Sequence, residues 1–477
     1  MSKKIGLFLG LLALTYTMVS APPSNMSEQA WATAGVGMLM VTWWATQVLP
    51  IPVTSLIPIV LFPLIGISSV TEAATPYANP VIFLLLGGFI IATALQRWQL
   101  HRRLALLVLR IAGSHPHSII GGFMFASAFL SMWISNTATT IMMLPIAISL
   151  AQVMLKGQSK EVTDKFTICL LLGIAYAASI GGLGTLIGTP PNAMMAAFME
   201  ETYGTNIGFA KWMTFGLPII CLLLPLAWLL LTRCIFTFDL PHNKDSIKVV
   251  NRELESMGPL SAPEKRTAIA FFLIALAWII RPALQQLPGL SELSDTTIAI
   301  AGAISLFLIP SGDKLKKDTR LLDWATAMSI PWGILLLFGG GLSLAAMISS
   351  SGLAIWLGGV LSVFTNFHIF ILIASIIALV IFLTELTSNT ATTATLLPVI
   401  GGIATAAYIE PMLLIAPMTL AASCAFMLPV ATAPNAIVFS SGKVSIPQMV
   451  KTGFYLNLLV ITLITPMAYL LIPVIFL

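Results

Sequence analysis

Ser135-Asn136-Thr137-Ala138-Thr139-Thr140 recurs letter for letter as Ser388-Asn389-Thr390-Ala391-Thr392-Thr393. Each copy lies at the middle of an apolar stretch, 118–155 and 368–407, nearly twice the length of about 20 residues that one helical crossing of a bilayer needs. A carboxamide flanked by hydroxyls is costly to leave unpartnered in hydrocarbon. Each hexapeptide therefore reads as the tip of a re-entrant helical hairpin rather than the centre of one crossing.

Two further landmarks are duplicated in the same order. Upstream, Leu85-Leu86-Gly87-Gly88 is answered by Leu337-Phe338-Gly339-Gly340, 48 and 49 residues ahead of the respective hexapeptide serines. Downstream, Gly188-Thr189-Pro190-Pro191-Asn192 is answered by Ala431-Thr432-Ala433-Pro434-Asn435. These downstream segments interrupt long apolar runs, because proline lacks the N–H of a helix interior and clashes with the preceding turn. The chain thus holds two units, each with a hairpin followed by a broken helix.

The composition sets the class in which this repeat operates. Hydrophobic residues make up 58% of the 477 and charged residues 9%, against roughly a quarter charged in soluble domains. Apolar segments fall near 5–21, 30–49, 53–69, 80–96, 118–155, 166–198, 208–235, 268–287, 296–310, 326–348, 368–407, 411–441 and 452–477. The first comes after Lys3-Lys4 and has a signal-peptide look, with Val19-Ser20-Ala21 as a possible cleavage site; Pro22-Pro23 and the many later segments favour an uncleaved first helix. With the two long segments as hairpins and the other eleven as crossings, all of the 23 Lys and Arg except Lys211 and Arg281 share one face. The positive-inside rule then puts the N-terminus in the cytoplasm and the C-terminus outside. In that topology the lead helix of one unit runs inward and that of the other outward, so the repeats are inverted, the signature of a secondary transporter with a site at mid-membrane. The net charge of +5 calls for no nucleic-acid partner.

Boundaries come from the same pattern: N-terminal scaffold helices at 1–79, a first inverted repeat at 80–235, a cytoplasmic loop at 236–266 with its link at Gly258 to Pro263, scaffold helices at 267–323, and a second inverted repeat at 324–477. Leu100 to Ile111 and Ala354 to Phe364, ahead of the two hairpins, read as short amphipathic helices on the membrane interface or as plain connectors. The four cysteines, Cys169, Cys221, Cys234 and Cys424, show no metal or disulfide spacing and read as small core residues. His115 and His117 read as interfacial residues. Glu385, just ahead of Ser388, is an intramembrane acid matched by Met132 in the first hairpin; a hydrogen-bonding role and an ion-coupling role both stand open.

No Lys or Arg lies within either hexapeptide or either proline break. A dianion at the tips would meet only helix dipoles and neutral donors. Its charge must be offset by something bound with it, and sodium, a hard ion suited to Asn, Ser/Thr and carbonyl oxygens, fills that role and creates the coupling. No HExxH, GxSxG, paired aspartates or clustered His supports a membrane enzyme.

On these motifs the sequence resembles the divalent anion/sodium symporter family, over nearly the whole chain. The resemblance implies an all-α polytopic membrane protein, an inverted-repeat transporter with about eleven transmembrane helices and two re-entrant hairpins, with a scaffold domain that homodimerises and an elevator-type transport domain. It implies one sodium near Ser131, Ser135, Asn136 and Gly188 and a second near Thr384, Thr387, Asn389 and Ala431. Substrate carboxylates would meet Asn136, Thr137 and Thr189 from one half and Asn389, Thr390 and Thr432 from the other. Ala433, where the first break has Pro190, leaves the second break less fixed. The implied activity is sodium-coupled import of C4-dicarboxylates across the plasma membrane, with a sulfate or citrate carrier and a dicarboxylate exchanger as alternatives on the same fold.

Overall fold

Proline and glycine punctuate this chain, and helices fill the intervals. The computed structural model describes residues 2–241, 245–313, 318–361 and 368–476. Lys244, Lys314, Lys316 and Lys317 of the charged face, and the end of the expected helix at Ala354 to Phe364, lie outside them. Every apolar segment read from the sequence contains helix, and among the described residues the one strand-like pairing is an isolated bridge between Pro310 and Arg320.

At the N-terminus α1 (Ser2–Val19) and α2 (Glu28–Thr46) lie antiparallel in close contact, Gly6 against Thr46 and Gly35 against Thr17. Prolines split the next stretch into α3 (Ile51–Thr54), α4 (Ile57–Leu64) and α5 (Val70–Ala74). The first unit comprises α6 (Pro80–Arg97), α7 (Leu100–Ala112), the hairpin arms α8 (Pro116–Ser131) and α9 (Asn136–Met154), the broken pair α10 (Lys160–Gly182) and α11 (Pro190–Tyr203), and α12 (Phe209–Leu229). Between the units stand α13 (Asp245–Ser256), α14 (Ala262–Leu284), α15 (Asp295–Leu308) and α16 (Trp324–Ala327). The second unit repeats the order: α17 (Trp332–Ser350), α18 (Leu353–Leu361), hairpin arms α19 (Ile369–Thr384) and α20 (Asn389–Ala406), broken pair α21 (Met412–Ala422) and α22 (Ala433–Ser440), then α23 (Ile446–Ile475). Among the described residues seven helical stretches are long and apolar enough to cross a membrane.

The duplicated Gly-Gly landmarks have a common structural cause. A Cβ on Gly87 would lie 2.7 Å from the Ala299 backbone of α15, and one on Gly340 would lie 2.8 Å from Ser55 Cα. Each unit's lead helix is pressed against a segment outside the unit, an approach that small residues allow where no hydrophobic drive separates helix from lipid.

Charge sorts the two ends. At one end Arg97 pairs with Asp323, Arg102 with Glu253 and Arg103 with Glu264, while Arg266 and Arg320 donate to the carbonyls of Pro310 and Leu308. Arg281, expected apart from these, pairs with Asp295, whose other oxygen accepts the N–H of Phe209 at the start of α12. α7 is amphipathic, bearing Arg102, Arg103 and Arg110 beside buried Leu106 and Leu109.

Its expected counterpart is corrected: α18 reads Leu-Ala-Ile-Trp-Leu-Gly-Gly-Val-Leu, has no polar face, and packs between α20, α17 and α2. The cysteine reading is also corrected in half, since Cys169 and Cys424 are buried but Cys221 and Cys234 are exposed. His117 stacks on Phe238, ring centroids 4.8 Å apart, and its carbonyl accepts Trp228 Nε1–H, which ties the start of the first hairpin to α12.

Candidate functional site

The hexapeptides begin helices. Ser135 caps α9, its Oγ accepting the Ala138 N–H at 3.2 Å, and Asn136 is the first helical residue; Ser388 and Asn389 hold the same places on α20. The breaks do likewise, Thr189 standing at the N-cap of α11 and Thr432 at that of α22. The two motif pairs thus cluster at four helix N-termini. Each N-terminus offers unpaired N–H groups and the positive end of a peptide dipole, so anion attraction is supplied without a basic side chain.

The two units interlock rather than stand side by side. α9 packs against α22, and α11 packs against α20 and α21. Thr189 Oγ1 lies 3.4 Å from Ser423 Oγ across the junction, and Tyr176 of α10 meets Phe426 of the second break edge-on. Thr189 and Thr390 are buried, Thr137 and Thr432 half-buried, and Ser135 is exposed.

An internal bracket shapes each break. Asn192 Nδ2 lies within hydrogen-bond distance of the carbonyls of Gly182, Leu183 and Thr185, at 3.1, 3.3 and 2.8 Å. Asn435 Nδ2 reaches the matching carbonyls of Ala425 and Leu428, both at 3.1 Å. The Asn that ends each Pro-Asn motif therefore folds its break back on itself, a role the sequence reading did not assign. The expectation about Ala433 is corrected as well. Thr432 Oγ1 accepts the Asn435 N–H at 3.2 Å, a side-chain cap that Thr189 does not make, so capping fixes the second break where Pro190 fixes the first.

In the first half, the residues expected near a cation converge in part. A methyl group placed on Gly182 would lie 3.0 Å from Gly188 O and 3.2 and 3.3 Å from the Asn136 amide atoms, so that amide and that carbonyl border one spot. Ser131 Oγ and Asn136 Oδ1 are buried without a hydrogen-bond partner among the described residues, as is Thr139 Oγ1 one turn above. Unsatisfied buried oxygens are rare in native proteins and call for a partner of their own; neutral oxygens suit a hard monovalent cation. Ser135 is exposed, and its Oγ is engaged in its cap.

The second half differs. Thr384 Oγ1 lies 2.9 Å from both Asn389 Oδ1 and the Ala422 carbonyl, so hairpin and break already touch. Thr387 turns to Leu383 O at 3.1 Å and to Thr392 Oγ1 at 2.5 Å, within its own hairpin. It lines, with Ser388, Ala431, Thr432 and Ala433, a cavity of about 330 Å³ whose wall also includes Trp44, Gln47 and Ile51. Those three N-terminal residues had no signal in the sequence, since nothing in an apolar helix end marks what it will face. Larger cavities, about 480 Å³ beside α11, α17 and α20 and about 500 Å³ beside α1, contain neither motif.

Duplicated hairpin tips and duplicated broken helices, with the motifs at four helix N-termini, define an inverted-repeat secondary transporter. The chain belongs to the family described as the sodium:sulfate symporter transmembrane region, which matches residues 2–477. It is 41% identical over 474 residues to the sodium-dependent dicarboxylate transporter SdcS of Staphylococcus saprophyticus, covering 98% of this chain and 91% of the relative. Identity is again 41%, over 476 residues, with the protein of that name from Staphylococcus aureus, at 99% and 91% coverage. Two solved structures share the fold: the YdaH transporter of Alcanivorax borkumensis (TM-score 0.62, 15% identity, 99% and 98% of the chains covered) and MtrF of Neisseria gonorrhoeae (TM-score 0.63, 12% identity, 98% and 94%).

Proposed function

We propose that this protein is a sodium-coupled symporter that imports C4-dicarboxylates such as succinate, malate and fumarate across the plasma membrane. One observation carries the reading: four helix N-termini carry a duplicated set of neutral oxygen and N–H groups with no lysine or arginine in the motifs. A dianion held there needs co-bound cations, and two equivalent half-sites suit a substrate with two similar ends. The relatives named as sodium-dependent dicarboxylate transporters point the same way.

The proposed ligands of the first sodium are Ser131, Ser135, Asn136 and Gly188, and those of the second Thr384, Thr387, Asn389 and Ala431. Asn136, Thr137, Thr189, Asn389, Thr390 and Thr432 receive the carboxylates. In this reading the chain makes eleven crossings with a cytoplasmic N-terminus and an external C-terminus. Residues 1–79 and 267–323 form a dimerising scaffold, along which 80–235 and 324–477 move as an elevator. The glycine contacts of α6 on α15 and of α17 on Ser55, and a cavity shared between the second motif and Trp44, support a site at that boundary.

Sulfate is the second reading, favoured by the family's own description. Succinate uptake into proteoliposomes, with and without an inward sodium gradient, tests substrate class and coupling together. Uptake that needs the gradient and is competed by malate and fumarate is expected. Uptake of sulfate alone would overturn the dicarboxylate reading, and sodium-independent exchange against internal dicarboxylate would overturn symport.

A further inference from the structure

Glu385 stands at the tip of the second hairpin, between Thr384 and Ser388, and is 4% exposed. Its carboxylate faces the second break. Oε1 accepts the N–H groups of Phe426 at 2.7 Å and Met427 at 2.9 Å and the Asn457 amide at 2.9 Å. Oε2 accepts the N–H groups of Met427 at 3.0 Å and Leu428 at 3.1 Å. Three successive backbone donors of an unwound segment are thereby satisfied by one side chain. A carboxylate is suited to this, offering two acceptor oxygens on a single carbon, and bonds to a charged acceptor are among the stronger ones.

The first unit solves the same problem differently. Met132 occupies the place of Glu385, and Leu183-Gly184-Thr185 that of Phe426-Met427-Leu428. There Thr185 Oγ1 of the break donates to Met132 O of the hairpin at 2.6 Å. Tip and break are held together in both units, so the tie is a requirement of the architecture. In the second unit the tie has become a charged one.

We propose that Glu385 is the positioning residue of the second cation half-site. By holding the N–H groups of residues 426–428 it keeps Thr384 and Asn389 in place against the break that runs from Ala422 to Ala431. Both of its oxygens are occupied by donors, so it orients ligands without being one. This inference rests on the sodium-coupled reading above.

The test uses the full-length protein in proteoliposomes and three readouts: the sodium concentration for half-maximal uptake, the succinate KM at saturating sodium, and the reversal potential, which reports the number of coupled charges. Glu385→Gln keeps the shape but turns an amide N–H₂ toward the backbone donors. It is expected to raise the half-saturating sodium concentration by about tenfold or more, the equivalent of one charge-assisted hydrogen bond. The succinate KM at saturating sodium should change by less than about threefold, and the reversal potential should stay as in the parent. Asn457→Ala, which removes only the side-chain support, should move sodium dependence the same way by about threefold; it decides the matter by itself if Glu385→Gln fails to fold. Unchanged sodium dependence in the folded variants would overturn the proposal, as would a reversal potential showing one coupled charge fewer in Glu385→Gln, which would make Glu385 a coupling ligand. Sodium-independent uptake by the parent protein would overturn the functional reading instead.

Discussion

The two motif asparagines have opposite hydrogen-bonding states, and this separates two substitutions that look equivalent. Asn136 Oδ1 is buried with no partner among the described residues, whereas Asn389 Oδ1 accepts from Thr384 at 2.9 Å. Leaving a buried acceptor unsatisfied costs about 1–3 kcal/mol. Asn136→Ala removes that burden along with some packing, so stability without sodium should be unchanged or higher by about 1 kcal/mol. Asn389→Ala removes a bond already made. Thr384 keeps Ala422 O as an alternative acceptor, so the loss should be about 0.5–1 kcal/mol. With sodium present each should fall short of the parent by a further, equal increment. Binding at one site with sodium at 100 times its dissociation constant stabilises the folded protein by about 2.7 kcal/mol, and either substitution should abolish its own site's share together with sodium-driven uptake. Thermal unfolding of purified protein in sodium chloride and in choline chloride at equal ionic strength measures both quantities, with proteoliposome uptake run in parallel. If Asn136→Ala keeps the full sodium-induced shift, or is destabilised without sodium as much as Asn389→Ala, the assignment of its oxygen to a cation is refuted.

Two further substitutions address the frame that holds the site. A Cβ on Gly181 would intrude on the Ala128 backbone of α8, so Gly181→Ala should lower the melting temperature in sodium and choline salts alike by the equivalent of about 1–3 kcal/mol; an unaltered melting curve would count against the close packing of α8 on α10. Arg103 reaches Glu264 at 2.7 Å, with the two side chains 11% and 6% exposed, and also bonds the carbonyls of Gly258 and Met257. Arg103→Gln should cost about 3–5 kcal/mol by stranding a buried carboxylate, and Glu264→Gln added to it should restore part of that loss, as read by unfolding of the single and double variants.

Much of the frame is legible in the sequence because its causes are local. Alternation of apolar runs with Pro-Asn and Ser-Asn-Thr clusters marks the helix breaks of both units, and the identical hexapeptides announce the duplication by themselves. The illegible part depends on partners distant in sequence. Glu385 is a lone acid until Phe426, Met427 and Leu428 are brought to it, and the inward-turning amides of Asn192 and Asn435 depend on how each break folds. α18 defeats a reading from sequence because a short run after a long helix carries no sign of how much it will be covered. Ala433 looks like a weakness because the cap that compensates for it, a Thr hydroxyl accepting the N–H three residues on, shows only in three dimensions. Thr387, which the resemblance puts near a cation, also bonds within its own hairpin, to Leu383 O and Thr392 Oγ1, contacts that depend on how the tip folds.

The interlocking of the units bears on how such a chain could arise. The returning arm of the first hairpin packs on the post-break helix of the second unit, and the returning arm of the second on that of the first, so neither unit completes its own interior. An ancestor of half the length would have needed a second copy inserted upside down, and its two sites would have been identical by symmetry. Fusion into one polypeptide removed that constraint. The exchange of Met132 for Glu385 and of Gly182 for Ala425 at matching positions is the kind of divergence open only to a fused chain, in which the two halves need no longer match.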